Sequence, residues 1–463
     1  MHDGDRVGQK TQLLNAKERL CNMKANSANQ ALRFYIPQMF DRLIKSSFIK
    51  NVLVVMTGTA GAQAIGFAMN PIISRLYSPT DFGVFGSFMA VLGIMTSAVT
   101  LNYAQAMMLP KKNEDAINLF VLACGFSAII AVFCLFFCLF APNILQNLTK
   151  SQSAWLLPML VVATLTSGLN ESCQAWCVRI KAFHKTAASQ VIRSISTNGS
   201  QIGLGFWRGG PLALIFAMIL GEILASLNLA RVALRDLREL RREISWGRIR
   251  DLAKDYKDFP IYGGPKDVMN ALSMGLPVLL LAYFYGIAIA GAYAFGARIL
   301  QIPMGFVTRS LRPVLFQKAS EAYNDGDRLF PLYVKVTSGL FALIVFPMLV
   351  MFLWAPQIFT WVFGSQWHTA GEFARWLMLW LMFIFCNLPS VLFARIIRIQ
   401  GKMLLFEIVL LTSRALALII GGTYMPALKT VMLYSLVGVI MNISLMFMVG
   451  CSVMRKDVDK LKR

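Results

Sequence analysis

The sequence predicts an all-α polytopic membrane protein, with about 12 transmembrane helices in two six-helix bundles related by a pseudo-twofold axis along the membrane normal. Three observations carry this prediction. Hydrophobic residues make up 57% of the 463 and charged residues only 15%, whereas a soluble domain is roughly a quarter charged. Apolar runs of about 20 residues recur along the whole chain, each long enough to cross a bilayer. One pattern also appears twice at an offset of 208 residues, close to half the chain: Tyr77 matches Tyr285, Gly83 matches Gly291, and Phe85 matches Tyr293.

The first copy of that pattern is the stretch Arg75-Leu76-Tyr77-Ser78-Pro79-Thr80-Asp81-Phe82-Gly83-Val84-Phe85-Gly86. Ser78-Pro79 breaks one helix, and Asp81 helps cap the next. Gly83 and Gly86 then let the restarting helix pack closely on a neighbour. Each half is therefore expected to begin with a helix, turn, helix unit.

Residues 1–50 form a polar, basic N-terminal segment without the features of a cleavable signal peptide. Met39 reads as a more natural start than Met1, because the first span follows within about a dozen residues, and 1–38 reads as an extension. The spans are expected at 51–74, 83–107, 117–140, 154–177, 186–207, 211–230, 260–284, 287–308, 332–354, 373–394, 403–424 and 430–452. Residues 186–207 are unusually polar for a span. The first bundle is 51–230, a basic cytoplasmic linker is 231–259, the second bundle is 260–453, and 454–463 is a basic cytoplasmic tail.

The net charge of +22 raises nucleic acid as a partner, and the placement of the charges argues against it. With the N-terminus inside, the inside loops hold Lys111, Lys112, Arg179, Lys181, Arg309, Arg312, Arg395 and Arg398, and the central linker adds nine more Lys and Arg. The outside loops hold little beyond Arg75, Lys150, Arg208 and Lys429. This asymmetry predicts an N-in, C-in topology. Six spans per half make both halves enter from the same side, as parallel repeats with a substrate path between the bundles.

No catalytic motif is found, so no catalytic residue is assigned, and no cofactor is implied. Gly401-Lys402 lacks the upstream glycine of a phosphate-binding loop. His2, His184 and His368 are far apart, so no metal site is predicted. Cys134/Cys138 and Cys173/Cys177 are i, i+4 pairs inside apolar runs, poor geometry for disulfides, and read as packing residues.

Charges inside spans are expensive unless paired or facing water, and mark function by default. Arg298, Arg414, Arg193, Lys266 and Asp267 are therefore the candidate substrate-binding residues. The competing explanation is a structural ion pair, as between Arg193 and Glu171 or Glu222. Glu407 lies two turns from Arg414, too far for a direct bridge. Pro71 and Pro277 fall at matching places in the first span of each half and read as helix breaks or hinges; a packing kink is the alternative.

The Arg75–Gly86 stretch resembles the first-loop signature of bacterial polysaccharide transporters, the O-antigen flippases. The run from Leu101 to Leu119, LNYAQAMMLPKKNEDAINL, resembles their second-to-third span connection, and Tyr285-Gly286, Gly291-Ala292-Tyr293-Ala294 and Gly401-Lys402 also fit. The resemblance covers about residues 40–455. It implies membership of the multidrug, oligosaccharidyl-lipid and polysaccharide exporter superfamily. It further implies a flippase of the bacterial cytoplasmic (inner) membrane, moving an undecaprenyl-pyrophosphate-linked glycan of O-antigen, capsule or exopolysaccharide by alternating access. Its partners would be that glycan, the lipid bilayer and other glycan-assembly membrane proteins, with no nucleic acid. A multidrug or cation exporter of the same superfamily and a lipid II flippase remain open alternatives. A membrane enzyme of glycan assembly is disfavoured by the short outside loops.

Overall fold

A computed structural model describes residues 47–461 apart from 141, 208 and 398. The expected extension 1–38, most of the N-terminal segment 1–50, and Arg208 and Arg398 lie outside the described residues; so does the side chain of Arg309. One compact unit spans 58–463 and holds the helical bundle.

The described chain is helical throughout, with no strand among the described residues. The N-terminal half contains α1 (Ser47–Leu76), α2 (Pro79–Thr96), the short α3 (Tyr103–Ala106), α4 (Asn113–Phe140), α5 (Pro142–Thr149), α6 (Leu156–Arg179), α7 (Phe183–Phe206) and α8 (Gly210–Glu239). The linker carries α9 (Trp246–Asp255) and a π-helical turn over Phe259–Gly263. The C-terminal half contains α10 (Gly264–Tyr285), α11 (Ile287–Asn324), α12 (Leu329–Phe363), α13 (His368–Cys386), α14 (Leu388–Ile396), α15 (Gln400–Tyr424) and α16 (Ala427–Leu461).

Ten helical segments among the described residues are long and apolar enough to cross a membrane. Of the 12 expected spans, those at 51–74 and 186–207 fall in helices that are not among these ten. For α7 the cause is its polar face. Several boundaries also differ from expectation. The second span stops at Thr96, turns, and resumes as α3. The expected outside loop at 355–371 is largely helix, because α12 runs on through Pro347 and Pro356 to Phe363.

The turn between α1 and α2 forms as the sequence predicts. The Ser78 side chain accepts from the Asp81 amide at 3.2 Å while Asp81 Oδ2 accepts from the Ser78 amide at 2.9 Å, a reciprocal capping box with Pro79 at the helix start. α2 then packs against α10 and α11, and on its other sides against α6 and α8. Its glycines permit the approach. A Cβ on Gly83 would overlap the Ile287 carbonyl, and one on Gly86 would lie 2.8 Å from the Ala294 Cβ.

The repeated tyrosines anchor the two turns in like manner. Tyr77 donates to the Gln201 carbonyl on α7 at 2.7 Å, and burial, with Asp81 nearby, pushes its phenol up to about 12. Tyr285 donates to the Gly421 carbonyl on α15 at 2.8 Å. α7 and α15 are each the helix before the last of their half, so the repeat extends from sequence to packing.

Candidate functional site

Between α1, α2, α7, α10 and α11 lies a cavity of about 1030 Å³. One wall is polar: Gln63 and Asn70 come from α1, and Gln190, Arg193 and Asn198 from α7. On the opposite wall Met274, Val278, Ala294 and Ala297 are apolar, but Arg298 and Gln301 stand among them. Tyr293, Trp380 and Tyr434 close one corner, each almost fully buried.

The polar wall explains the weak hydropathy of α7. Gln190, Ser194, Thr197, Asn198 and Gln201 recur at three and four residues, so they form one stripe, and that stripe faces the cavity. The stripe packs on α1, where Ser194 donates to the Ala62 carbonyl at 2.6 Å. A polar helix inside an apolar bundle is stable only where its groups are bonded or wet. Sequence reasoning registered the polarity but not the stripe, which the spacing alone would have revealed.

The structure separates the five expected charged residues. Arg298 is half-buried on the cavity wall, and among the described residues no ion pair or hydrogen bond involves its guanidinium. Arg193 also lines the cavity, but is paired: Nη1 lies 3.1 Å from Glu222 Oε2, and Asn170 donates to the same carboxylate. Of the two acids expected as partners, Glu222 is the one engaged. Glu171 instead accepts from Thr100 at 3.3 Å.

Arg414 is not on the wall. It is buried one layer behind, its guanidinium carbon 4.0 Å from the Trp380 ring centre and 4.5 Å from that of Tyr434. Its Nε and Nη2 have no hydrogen-bond partner among the described residues. Lys266 is exposed and does not line the cavity. Asp267 is also off the wall, accepting from Asn102 Nδ2 at 3.0 Å. Pro71 and Pro277 lie inside continuous helices. A proline costs one backbone bond and bends a helix, without obliging it to stop.

Helix interruption falls elsewhere, on residues that sequence reasoning missed. Leu101 and Asn102 sit at φ 46° and 62° in the turn that ends α2; left-handed backbone at a non-glycine residue costs about 1–3 kcal/mol. The π-helical turn at Phe259–Gly263 lies across from it, where a Cβ on Gly263 would come within 2.7 Å of Asn102 Nδ2. The only signal in the sequence was Asn102 itself, a residue that tolerates the left-handed region.

At the other end of the cavity, the loop after α12 clasps the α1–α2 turn. Ser74 donates to the Phe363 carbonyl at 3.1 Å. Gln366 donates to the carbonyls of Ser74 and Tyr77 at 2.6 and 3.2 Å, and Trp367 Nε1 to that of Ser74 at 2.8 Å. Trp367 is fully buried, edge-on to Phe82 and over Phe295.

Helices on both sides of a central polar cavity make a multi-pass membrane fold, and solved structures share it. An inward-facing multidrug resistance MATE family transporter of the MOP superfamily superposes with a TM-score of 0.66 at 16% identity, covering 86% of this chain and 96% of that one. The lipid II flippase MurJ in an inward closed conformation gives 0.69 at 13% identity, covering 88% and 91%. The chain belongs to the polysaccharide biosynthesis protein family, whose sequence profile matches residues 72–372. A curated relative, the succinoglycan biosynthesis transport protein ExoT of Rhizobium meliloti (strain 1021), is 24% identical over 325 residues, 68% of this chain. The match spans about three-fifths of that relative, 61% of its length.

Proposed function

We propose that this protein is a flippase that carries an undecaprenyl-pyrophosphate-linked oligosaccharide across the bacterial cytoplasmic membrane by alternating access, and performs no catalysis. Its termini face the cytoplasm, and residues 51–230 and 260–453 act as two bundles around the cavity. The family and the succinoglycan transport relative support the substrate class.

The observation that carries the reading is Arg298. A guanidinium inside a span is retained only where it meets water or a partner, and this one faces the cavity with no acid against it among the described residues. It suits a pyrophosphate, whose oxygens a guanidinium holds bidentately. The polar wall of α7 offers amide and hydroxyl groups for sugar hydroxyls. At about 1030 Å³ the cavity is at the upper end for drug-sized ligands, in keeping with a polar headgroup of several rings. Arg193 contributes as a neutralised pair, and Arg414 adds positive field from behind the wall. Lys266 and Asp267 act at the cavity end and not at the headgroup.

A multidrug or cation exporter would favour an acidic cavity, and the one acid on this wall, Glu222, is already matched by Arg193. The test is Arg298→Ala beside Arg298→Lys in a host that depends on this protein for surface polysaccharide. Ala should abolish surface polysaccharide at normal protein abundance and Lys should keep part of it. Full export by Arg298→Ala would overturn the reading.

A further inference from the structure

Each end of the cavity is bordered by a turn bonded across to the other half, and the two turns are held differently. Its lining ends at Thr96, Ser167 and Ala271. Four residues further along each segment stand Thr100, Glu171 and Asp267. There, in the turn at 97–102, Thr100 donates to Glu171 of α6 and Asn102 to Asp267 of α10, and Val99, Thr100 and Asn102 are themselves buried. Of these two, only the Asn102 bond ties the turn to the C-terminal half. At the opposite end, four hydrogen bonds and a fully buried indole tie the α1–α2 turn to the loop after α12.

We propose that the 97–102 turn is a movable plug. It swings from Asp267 to open the cavity at its own end, while the clasp of Gln366 and Trp367 on Ser74 keeps the other end shut. This rests on the cavity being a transport path. It is distinct from the headgroup site, because neither Asn102 nor Asp267 lines the cavity.

Three features agree. The turn is the one place where the second helix of a half is broken. Its repeat counterpart α11 runs unbroken from Ile287 to Asn324, so a mobile segment works against a rigid one. Leu101 and Asn102 are held in left-handed backbone, and Asn102 is bonded both to Gln105 within the turn and to Asp267 across from it. Facing the plug, the π-helical turn and the close approach at Gly263 mark a second irregular segment, of the kind found at functional hinges.

Two measurements test the plug without reading export. The first is hydrogen exchange on the unaltered full chain in nanodiscs. Amides of 97–106 should exchange at least tenfold faster than those of 74–78 and 364–368; equal or slower exchange overturns the proposal. The second uses a cysteine-free full chain carrying Thr96→Cys on the cavity wall, labelled with a membrane-impermeant thiol reagent in vesicles of each orientation. Lys112→Cys and Ser365→Cys, both exposed, report which face is which. Asn102→Ala should speed Thr96→Cys labelling from the Lys112 face at least fivefold and leave the Ser365 face unchanged. Asp267→Asn keeps an acceptor oxygen and should label like the parent. An unchanged rate with Asn102→Ala, or an equal rise from both faces, sinks the plug. Faster labelling with no dependence of surface polysaccharide on the protein would uphold the plug and defeat the flippase reading.

Discussion

Gly83 and Gly291 both sit where α2 crosses α11, and a Cβ on either would run into the backbone of the other helix, at Ile287 for Gly83 and at Pro79 and Gly83 for Gly291. A Cβ on Gly291 would lie 2.6 Å from the Gly83 amide nitrogen and would overlap the Pro79 carbonyl. The two glycines are the same position of the repeat, so the duplicated helices meet through their own equivalent residues. Close contact of small residues is how helices associate where lipid is as apolar as the side chains.

Gly83→Ala and Gly291→Ala should therefore each destabilise the protein by about 1–3 kcal/mol, as overpacking does. The clash is with backbone, which cannot rotate away. Gly93→Ala is the control, since nothing stands within 4 Å of a Cβ there. Thermal unfolding in detergent, followed by fluorescence-detected size exclusion, compares the three. A melting point for Gly83→Ala equal to that of Gly93→Ala would refute the crossing as a determinant of stability.

The helix, turn, helix unit was legible because its signals are local: Ser78, Pro79 and Asp81 make the cap among themselves, and the glycines are their own evidence of close packing. The charges inside spans were legible as residues worth explaining, but their surroundings were not. Sequence spacing ruled Glu407 out as a partner of Arg414, yet nothing along the chain indicated that Trp380 and Tyr434, from two other helices, would pack against it. Lys266 and Asp267 looked intramembrane because they belong to a long run, Phe259–Tyr285, that is apolar on average, but they fall near its start. The break after Thr96 was hidden because Ala98-Val99-Thr100-Leu101 contains neither glycine nor proline. Tertiary contacts, with Glu171, Asp267 and the α6 backbone at Gly168, hold that turn.

The Arg193–Glu222 pair should behave as a charge filter more than as a staple. Arg193 is about half exposed to the cavity, with 46% of its side chain accessible, and pairs that open to water contribute below about 1 kcal/mol. Arg193→Ala should thus leave protein abundance near normal. It would, however, uncover the Glu222 carboxylate on the wall that an anionic headgroup must pass. Surface polysaccharide should fall severalfold in Arg193→Ala and recover substantially in Arg193→Ala/Glu222→Gln. If the double variant exports no better than the single one, Arg193 touches the substrate directly and the filter is wrong.

Arg414 calls for the opposite expectation. It is 4% exposed, packs against the T-shaped pair of Trp380 and Tyr434, and leaves two of its nitrogens without hydrogen bonds among the described residues. A guanidinium against aromatic rings gains about 2 kcal/mol when desolvated, while a buried charge is often replaced by an apolar residue of like volume without loss. Arg414→Ala removes the side chain packed against Trp380 and Tyr434 and should cost about 2–5 kcal/mol, in the range of large core truncations, so abundance should drop. Arg414→Met restores the volume and should melt within a few degrees of the parent. Arg414→Lys keeps the charge but loses the planar stack, and should fall between the two. Because Trp380 and Tyr434 stand between Arg414 and the cavity, Arg414→Met should lower surface polysaccharide less than Arg298→Ala does. Abundance, melting point and polysaccharide output measured on the same three variants decide the matter. If Arg414→Met is as labile as Arg414→Ala, the charge and not the packing holds the corner; if it folds normally yet abolishes export, Arg414 reaches the substrate after all.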